Sequence, residues 1–298
     1  MGLSKEELLN AVDSMNQATL SDGKRAPHKP LFLLWLLGQL RATGTSDVSY
    51  SAVEGPVSDL INLFGPPAVN HRYRAELPFF HLDDSLWILD SKNQLEPKRS
   101  KLLASDARGQ LRPEVESMLL SEPALIEEVA LHVIERQFTE TYLEPILTKV
   151  GLEMPDLVST STGGTKKKRD PKFREGVMIA WRGQCAMCGY DGMNAGLPVG
   201  IEAAHVKWFS QGGPDTLENG MALCELHHAL FDLGILGLTV DLKIKVAPSF
   251  IGKNEASERL VYALEDQDLR EPAPSKPTPS SDFILWHSLQ VFKSSNVA

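Results

Sequence analysis

The sequence predicts an α+β chain of two domains: an α-rich first domain with one small β-hairpin, and a smaller second domain of strand, loop and helix. Three observations lead there. Helix caps and apolar stripes recur from Ser4 to Phe138. The composition breaks at Val158 into Ser, Thr and Gly, and then into basic residues. All three cysteines fall beyond that break, two of them as a CxxC pair.

The elements follow in order. Ser4 is a suitable N-cap, and Glu7 completes a capping box for a first helix from Ser4 to Leu20 striped by Leu8, Val12, Met15 and Leu20. Pro30 suits the first turn of a second helix, Leu31 to Arg41, which is apolar all round and should be the buried centre of its domain. Gly55-Pro56 starts or interrupts a third helix, which ends before Gly65-Pro66-Pro67. Pro78 to Leu82, the acidic pair Asp83-Asp84 and Ser85 to Leu89 read as the hairpin. Pro113 opens a helix through Leu120, and Pro123 opens a longer one through Phe138. These elements place the first domain at 1–158, a flexible basic linker at 159–171, the second domain at 172–252 and a C-terminal extension at 253–298. The extension is Pro/Ser-rich from Glu271 to Ser281 and ends in an apolar stretch, Phe283 to Phe292, fit to dock as a helix.

Composition narrows the function classes. The chain has 298 residues, 42% hydrophobic and 23% charged, which excludes a wholly disordered or collagen-like chain. Its longest apolar run, Leu31 to Leu37, is too short to span a bilayer, and no basic-then-apolar leader follows Met1. Three cysteines at metal-binding spacing fit a reducing cytoplasm and not a disulfide framework. The net charge of −9 argues mildly against a nucleic-acid partner, yet charge acts locally. TKKKRDPKFR (165–174) holds six bases and one acid, and NHRYR (70–74) and KRAPHK (24–29) are further basic islands on an acidic body.

Two constellations in the second half carry chemistry. Cys185-x-x-Cys188 and Cys224-x-x-His227 can close a tetrahedral Cys3His zinc site, which is structural because all four positions are filled by protein. Between the knuckles lies a second set: His205 on an apolar strand, a loop from Ser210 to Asp215, Asn219, and a helix carrying His228 and Asp232. His228 and Asp232, spaced i,i+4, share a helical face and can hold one divalent cation. The order strand, loop, helix is expected to bring His205 against that face as general base for water, with Asn219 orienting the histidine or completing the metal shell.

IEAAHVKW, ENGMALC and LHHALFDLG resemble the HNH nuclease, or ββα-metal, family over about residues 172–252. The resemblance implies a DNA endonuclease whose signature residues are His205, Asn219 and His228, using Mg2+ or Mn2+. The chain departs from many members at Ala204, where an acid or a histidine would supply a ligand; Glu202 is the alternative donor. RAPHKPLFLLWLLGQL, YRAELPFFHLDDSLW and the run from Ala107 to Phe138 resemble the sulfur-binding domain of McrA-type (type IV) modification-dependent restriction endonucleases, in a compact Streptomyces-type layout. This resemblance implies recognition of phosphorothioate-modified double-stranded DNA. Leu77, Pro78 and the ring of His81 are then the candidate sulfur cup, and Arg25, His28, Lys29, Arg72, Arg74 and Arg108 the candidate DNA contacts. A homodimer would supply two active sites for two strands. The alternatives are an HNH endonuclease dependent on methylated cytosine, for which Tyr73, Phe79, Phe80 and Trp87 could wall a base pocket, a DNA-binding protein with a catalytically dead HNH module, and a structural adaptor.

Overall fold

The computed structural model describes residues 3–15, 26–67, 74–153 and 171–294. It divides into two compact units, Met1–Ser161 and Thr162–Ala298.

In the first unit α1 (Lys5–Asp13) is opened by the expected capping box between Ser4 and Glu7. The expected continuation to Leu20 lies largely outside the described residues, and the described helix ends at Asp13. Next comes α2 (His28–Thr43), which starts three residues before the expected Leu31 and puts Pro30 in its first turn, where a missing N–H costs nothing. Leu31, Phe32, Leu33, Leu34, Leu36, Leu37 and Leu40 are all buried, so α2 is the centre of the unit.

The strand β1 (Val48–Ser49) leads into α3 (Tyr50–Phe64), which runs straight through Pro56. A proline inside a helix costs about 3 kcal/mol. Burying Val53, Val57, Leu60 and Ile61 at roughly 2 kcal/mol each outweighs that cost.

The expected hairpin over 78–89 is not what forms. Residues Glu76–His81 make a short helix, α4, and the strand β2 (Trp87–Leu89) pairs elsewhere. A short apolar run fits helix or strand equally, and tertiary packing decides here. Phe79 is buried against Phe32, Tyr50 and Trp87, and the Trp87 indole N–H donates to the Phe79 carbonyl at 3.0 Å. After α5 (Arg99–Ala104) comes β3 (Arg108–Leu111), the middle strand of a three-stranded antiparallel sheet of order β1-β3-β2. The unit closes with α6 (Pro113–Ser121), α7 (Ala124–Gln137) and α8 (Leu143–Val150).

The second unit begins with α9 (Pro171–Ala180), followed by the small ladder of β4 (Met193–Asn194) and β5 (Leu197–Pro198). Its heart is the antiparallel pair β6 (Ile201–His205) and β7 (Gly220–Cys224), joined by a loop and followed at once by α10 (Glu225–Asp232). A second pair, β8 (Leu236–Leu238) and β9 (Ile244–Val246), and the helices α11 (Glu255–Leu260) and α12 (Ser281–Gln290) complete it. The core joins Val177, Trp181, Ala204, Met221, Phe231 and Ile284, so the C-terminal helix packs into the same body as the hairpin. No helix among the described residues is long and apolar enough to cross a membrane.

Each unit buries one neutral histidine. Burial, and then the Arg74 charge, pushes His28 down to about 3; burial pushes His287 down to about 4. Between pH 6.5 and those values the unfolded chain takes up protons that the folded chain refuses, so stability falls as the pH is lowered through that window. For His287 the loss is on the order of 3 kcal/mol by pH 4. Thermal melting from pH 7 to pH 4 should show this slope in the second unit, and His287→Phe should flatten it.

Candidate functional site

Two loops and one strand–helix junction build a metal centre. The backbone N–H of Cys185 donates to the Tyr190 carbonyl and that of Gly189 to the Cys185 carbonyl, curling Cys185-x-x-Cys188 into a knuckle. Cys224 ends β7, and His227 sits in the first turn of α10. The four ligand atoms all lie within 4.8 Å of one another. His227 Nδ1 is 3.4 Å from Cys185 Sγ and 3.2 Å from Cys224 Sγ. A tetrahedral ion with sulfur and nitrogen ligands requires edges of roughly 3.5–3.8 Å, so the donor set fits one. His227 Nε2–H donates to the Leu260 carbonyl at 2.8 Å, which leaves Nδ1 as the ligating nitrogen. Hydrogen bonds from Cys188 and Cys224 hold the Cys185 thiol far below its usual range and make it the first thiolate of the set.

The second set surrounds β6 and β7. Asn219 is fully buried at the end of the connecting loop. Its Oδ1 accepts from the Lys207 N–H at 2.8 Å, and its Nδ2 donates to the Lys207 and Pro214 carbonyls, each at 3.0 Å. The amide therefore stitches the loop shut and does not face a ligand. The residue after Pro214 is Asp215, whose Oδ1 lies 2.7 Å from His205 Nε2. Asn219 orients the histidine at one remove, through the loop that carries Asp215.

His205 pairs with Gly220 across the strands. A Cβ at Gly220 would lie 2.6 Å from Val177 and 3.0 Å from Phe173, so this face of the hairpin packs on α9. The His205 ring stacks on Phe173, with centroids 4.2 Å apart and planes at 18°. Alternation along β6 turns Glu202 and Ala204 to the opposite face. There the Glu202 carboxylate meets His228 Nδ1 at 2.6 Å, and His228 Nε2 is 3.4 Å from Asp232. The expectation that His205 lies on the helical face bearing His228 is thus refined: the strand carries one carboxylate–imidazole pair on each face. Ala204 is fully buried, and Glu202, two residues earlier on its face, reaches the helical histidine.

Sequence reasoning missed Asp215 as the His205 partner and Phe173 as its bed. The only signal for Asp215 is a carboxylate just past the Gly212-Gly213-Pro214 turn.

The basic and apolar residues of the first unit divide sharply. Arg25 and Arg72 lie outside the described residues, as does Tyr73. Arg74, expected on the surface, is 8% exposed. Its guanidinium donates to His28 Nε2 at 3.0 Å and to the Pro66 carbonyl at 3.3 Å, which ties down the entry to α4. His28 and Arg74 are therefore spent on each other. Arg108 is half-exposed and donates twice to Asp47, at 3.0 and 3.1 Å. On α4, Leu77 is 48% exposed and His81 is exposed one turn later on the same side, while Pro78 is buried on the inner side. Phe79 and Trp87 are core, which removes them from any base pocket. Partial burial, with the nearby Lys29 and Lys92 charges, keeps the His81 imidazole below its ordinary range and so neutral at pH 7.

A histidine-bearing hairpin, a helix with a second histidine and a Cys3His knuckle between them define a class. Residues 185–239 match the family model of the HNH endonucleases, so the second unit is a metal-dependent DNA endonuclease domain. Residues 5–155, half of the chain, match the ScoMcrA-like DNA sulfur-binding domain. The chain belongs to that ScoMcrA-like family. Among solved structures, the sulfur-binding domain of ScoMcrA complexed with phosphorothioated DNA is 25% identical over 48% of this chain and 94% of its own, at a TM-score of 0.41. The sulfur-binding domain of SprMcrA, also complexed with phosphorothioated DNA, is 20% identical over 50% of this chain and 95% of its own, at 0.41. The type IV phosphorothioation-dependent restriction endonuclease ScoMcrA is 16% identical over 74% and 93%, at 0.40. No protein of curated function matches the chain.

Stripping the knuckle with a chelator should melt the second unit and leave the helices of the first in place. Cys224→Ala should bind no ion, whereas His228→Ala should keep it. Elemental analysis with thermal melting checks both, and loss of the ion in His228→Ala would exchange the roles of His227 and His228.

Proposed function

We propose that this chain is a modification-dependent restriction endonuclease that recognises phosphorothioate-modified double-stranded DNA and hydrolyses phosphodiester bonds nearby. The observation that carries the reading is the union, in one chain, of a sulfur-binding family domain with an HNH endonuclease domain. In this reading the Cys3His ion is zinc, held for structure alone.

His228 and Asp232, with Glu202 in place of the ligand that Ala204 lacks, would hold a Mg2+ or Mn2+ ion; one imidazole and two carboxylates suit such a hard cation. When bound, the cation supplies charge stabilisation at the phosphoryl and leaving oxygens. Asp215 fixes the His205 proton on Nε2 and leaves Nδ1 as the basic nitrogen that takes a proton from water. Phe173 stacks on the same ring and fixes its plane. Asn219 holds the loop that presents Asp215.

Recognition is a difference in affinity between sulfur and oxygen. Phosphorothioate keeps its charge, so Lys29 and neighbouring cations attract both backbones alike. Sulfur is larger and less hydrated than oxygen. The exposed face of α4, with Leu77 and the neutral ring of His81, suits such an atom, while a phosphate oxygen placed there would lose hydrogen bonds to water. Cutting both strands needs two active sites or two visits, and a homodimer is one solution.

Paired duplexes that differ by one sulfur atom test the whole reading. With Mg2+ or Mn2+, only the sulfur duplex should be cut at low enzyme concentration. Equal cutting of both, or tighter binding to a methylated duplex, would sink it. Leu77→Asp should lower binding of the sulfur duplex and leave binding of the plain one nearly unchanged.

Asp215→Asn tests the base. Its amide can donate to Nε2 and force the proton onto Nδ1, so kcat should fall by about 100- to 10,000-fold with DNA affinity unchanged. Single-turnover cleavage beside a binding titration separates the two quantities.

A further inference from the structure

The helix α12, with the chain that follows it to Ser294, lies outside both family matches. We infer that α12 is a buttress that sets the loop carrying Asp215 against the helix carrying Asp232, with Trp286 and His287 as positioning residues. The inference deepens the nuclease reading above and rests on it.

The helix touches both sides of the site. At its N-cap the Ser280 N–H donates to the carbonyl of Glu218, the neighbour of Asn219, at 2.9 Å. In its middle Trp286 meets Trp208 edge to face, with ring centroids 5.7 Å apart. Trp208 is the anchor of the catalytic loop: its carbonyl accepts from the N–H groups of Gln211 and Gly213, each at 2.9 Å. Those bonds fold the turn that ends at Asp215.

The next residue faces the other way. The His287 ring lies flat on Phe231, with centroids 3.7 Å apart and planes at 8°. Its Nε2–H donates to the Phe231 carbonyl at 2.9 Å. Phe231 immediately precedes Asp232. Just beyond, the Lys293 N–H donates to the Gly234 carbonyl at 2.9 Å. At Gly234, φ is +75°, and a Cβ there would lie 2.1 Å from the Val291 carbonyl oxygen, so only glycine admits this approach.

Neither side of the site is stiff by itself. A two-stranded hairpin is marginal in isolation, and α10 has eight residues, below the length at which a helix holds in water. The Cys3His knuckle ties the start of α10, at His227, and leaves its far end, where Asp232 sits, to be fixed by other means. The contacts of α12 fall on that far end and on the loop. A displacement of about 1 Å in such a site costs on the order of 100-fold in rate.

The test uses full-length Trp286→Ala, His287→Phe and His287→Gln. Phe keeps the stack and loses the N–H; Gln keeps an N–H able to reach the same carbonyl. For each we would measure the knuckle ion content, Mn2+ affinity without DNA by electron paramagnetic resonance, amide exchange at Leu233 and Gly234, and kcat and KM on the sulfur duplex. Trp286→Ala and His287→Phe should lower kcat by about 10- to 100-fold, weaken Mn2+ binding and speed the amide exchange, with KM and ion content unchanged. His287→Gln should recover most of the loss. Unchanged kcat and Mn2+ affinity would overturn the inference. So would loss of the knuckle ion in step with activity, which makes α12 a folding element only. Should the unmutated protein cut no DNA, the nuclease reading fails by itself, and Mn2+ affinity and amide exchange still decide the buttress.

Discussion

The Cys3His knuckle is the constraint on which the second unit depends. It joins three pieces that have little other reason to meet: the CxxC turn, the end of β7 and the first turn of α10. Four ligand atoms within 4.8 Å leave the helix no freedom to swing away from the hairpin. That fixed angle lets Glu202, on a strand, reach His228, on a helix, at 2.6 Å. The adjacency of His227 and His228 is then a division of labour. Successive helical residues point about 100° apart, so one imidazole serves the knuckle and the next serves the strand carboxylate.

Strand alternation explains the remaining arrangement. Glu202 and His205 are three residues apart on β6 and so lie on opposite faces. Each imidazole is given its own carboxylate: Asp215 for His205, Glu202 and Asp232 for His228. An imidazole bound to one carboxylate has its tautomer fixed, and an imidazole between two carboxylates is a ready cation site. The two histidines thus have different environments, and on the proposed mechanism they have different tasks.

Much of this was legible in the sequence, and the rest was hidden for physical reasons. Cys185, Cys188, Cys224 and His227 announce themselves because ligand chemistry fixes both residue type and spacing. The all-apolar α2 is equally plain. The segment Pro78 to Leu82 misleads, because six residues of mixed apolar character carry no usable period and the choice falls to the packing of Phe79. Arg74 misleads for a different reason. A basic island looks solvated in sequence, yet one of its members is buried against a neutral histidine 46 positions earlier, a partner that no local pattern reveals. Asp215 was invisible as a partner because its value to His205 depends on a loop closed by Asn219.

The buried Arg74 bears on how a chain of net charge −9 can read DNA. A phosphate contact gives affinity to any sequence and any backbone, and an acidic body weakens that general attraction. Weak general attraction is a gain for a reader of one altered atom, since specificity is the difference between two affinities. Arg74 is withdrawn into the first unit and Arg108 is partly neutralised by Asp47, which lowers the cationic grip on unmodified DNA. What remains beside α4 is Lys29, Lys92, an exposed leucine and a neutral histidine. On the proposed reading, charge brings the backbone to this face, and the poorly hydrated atom decides whether it stays.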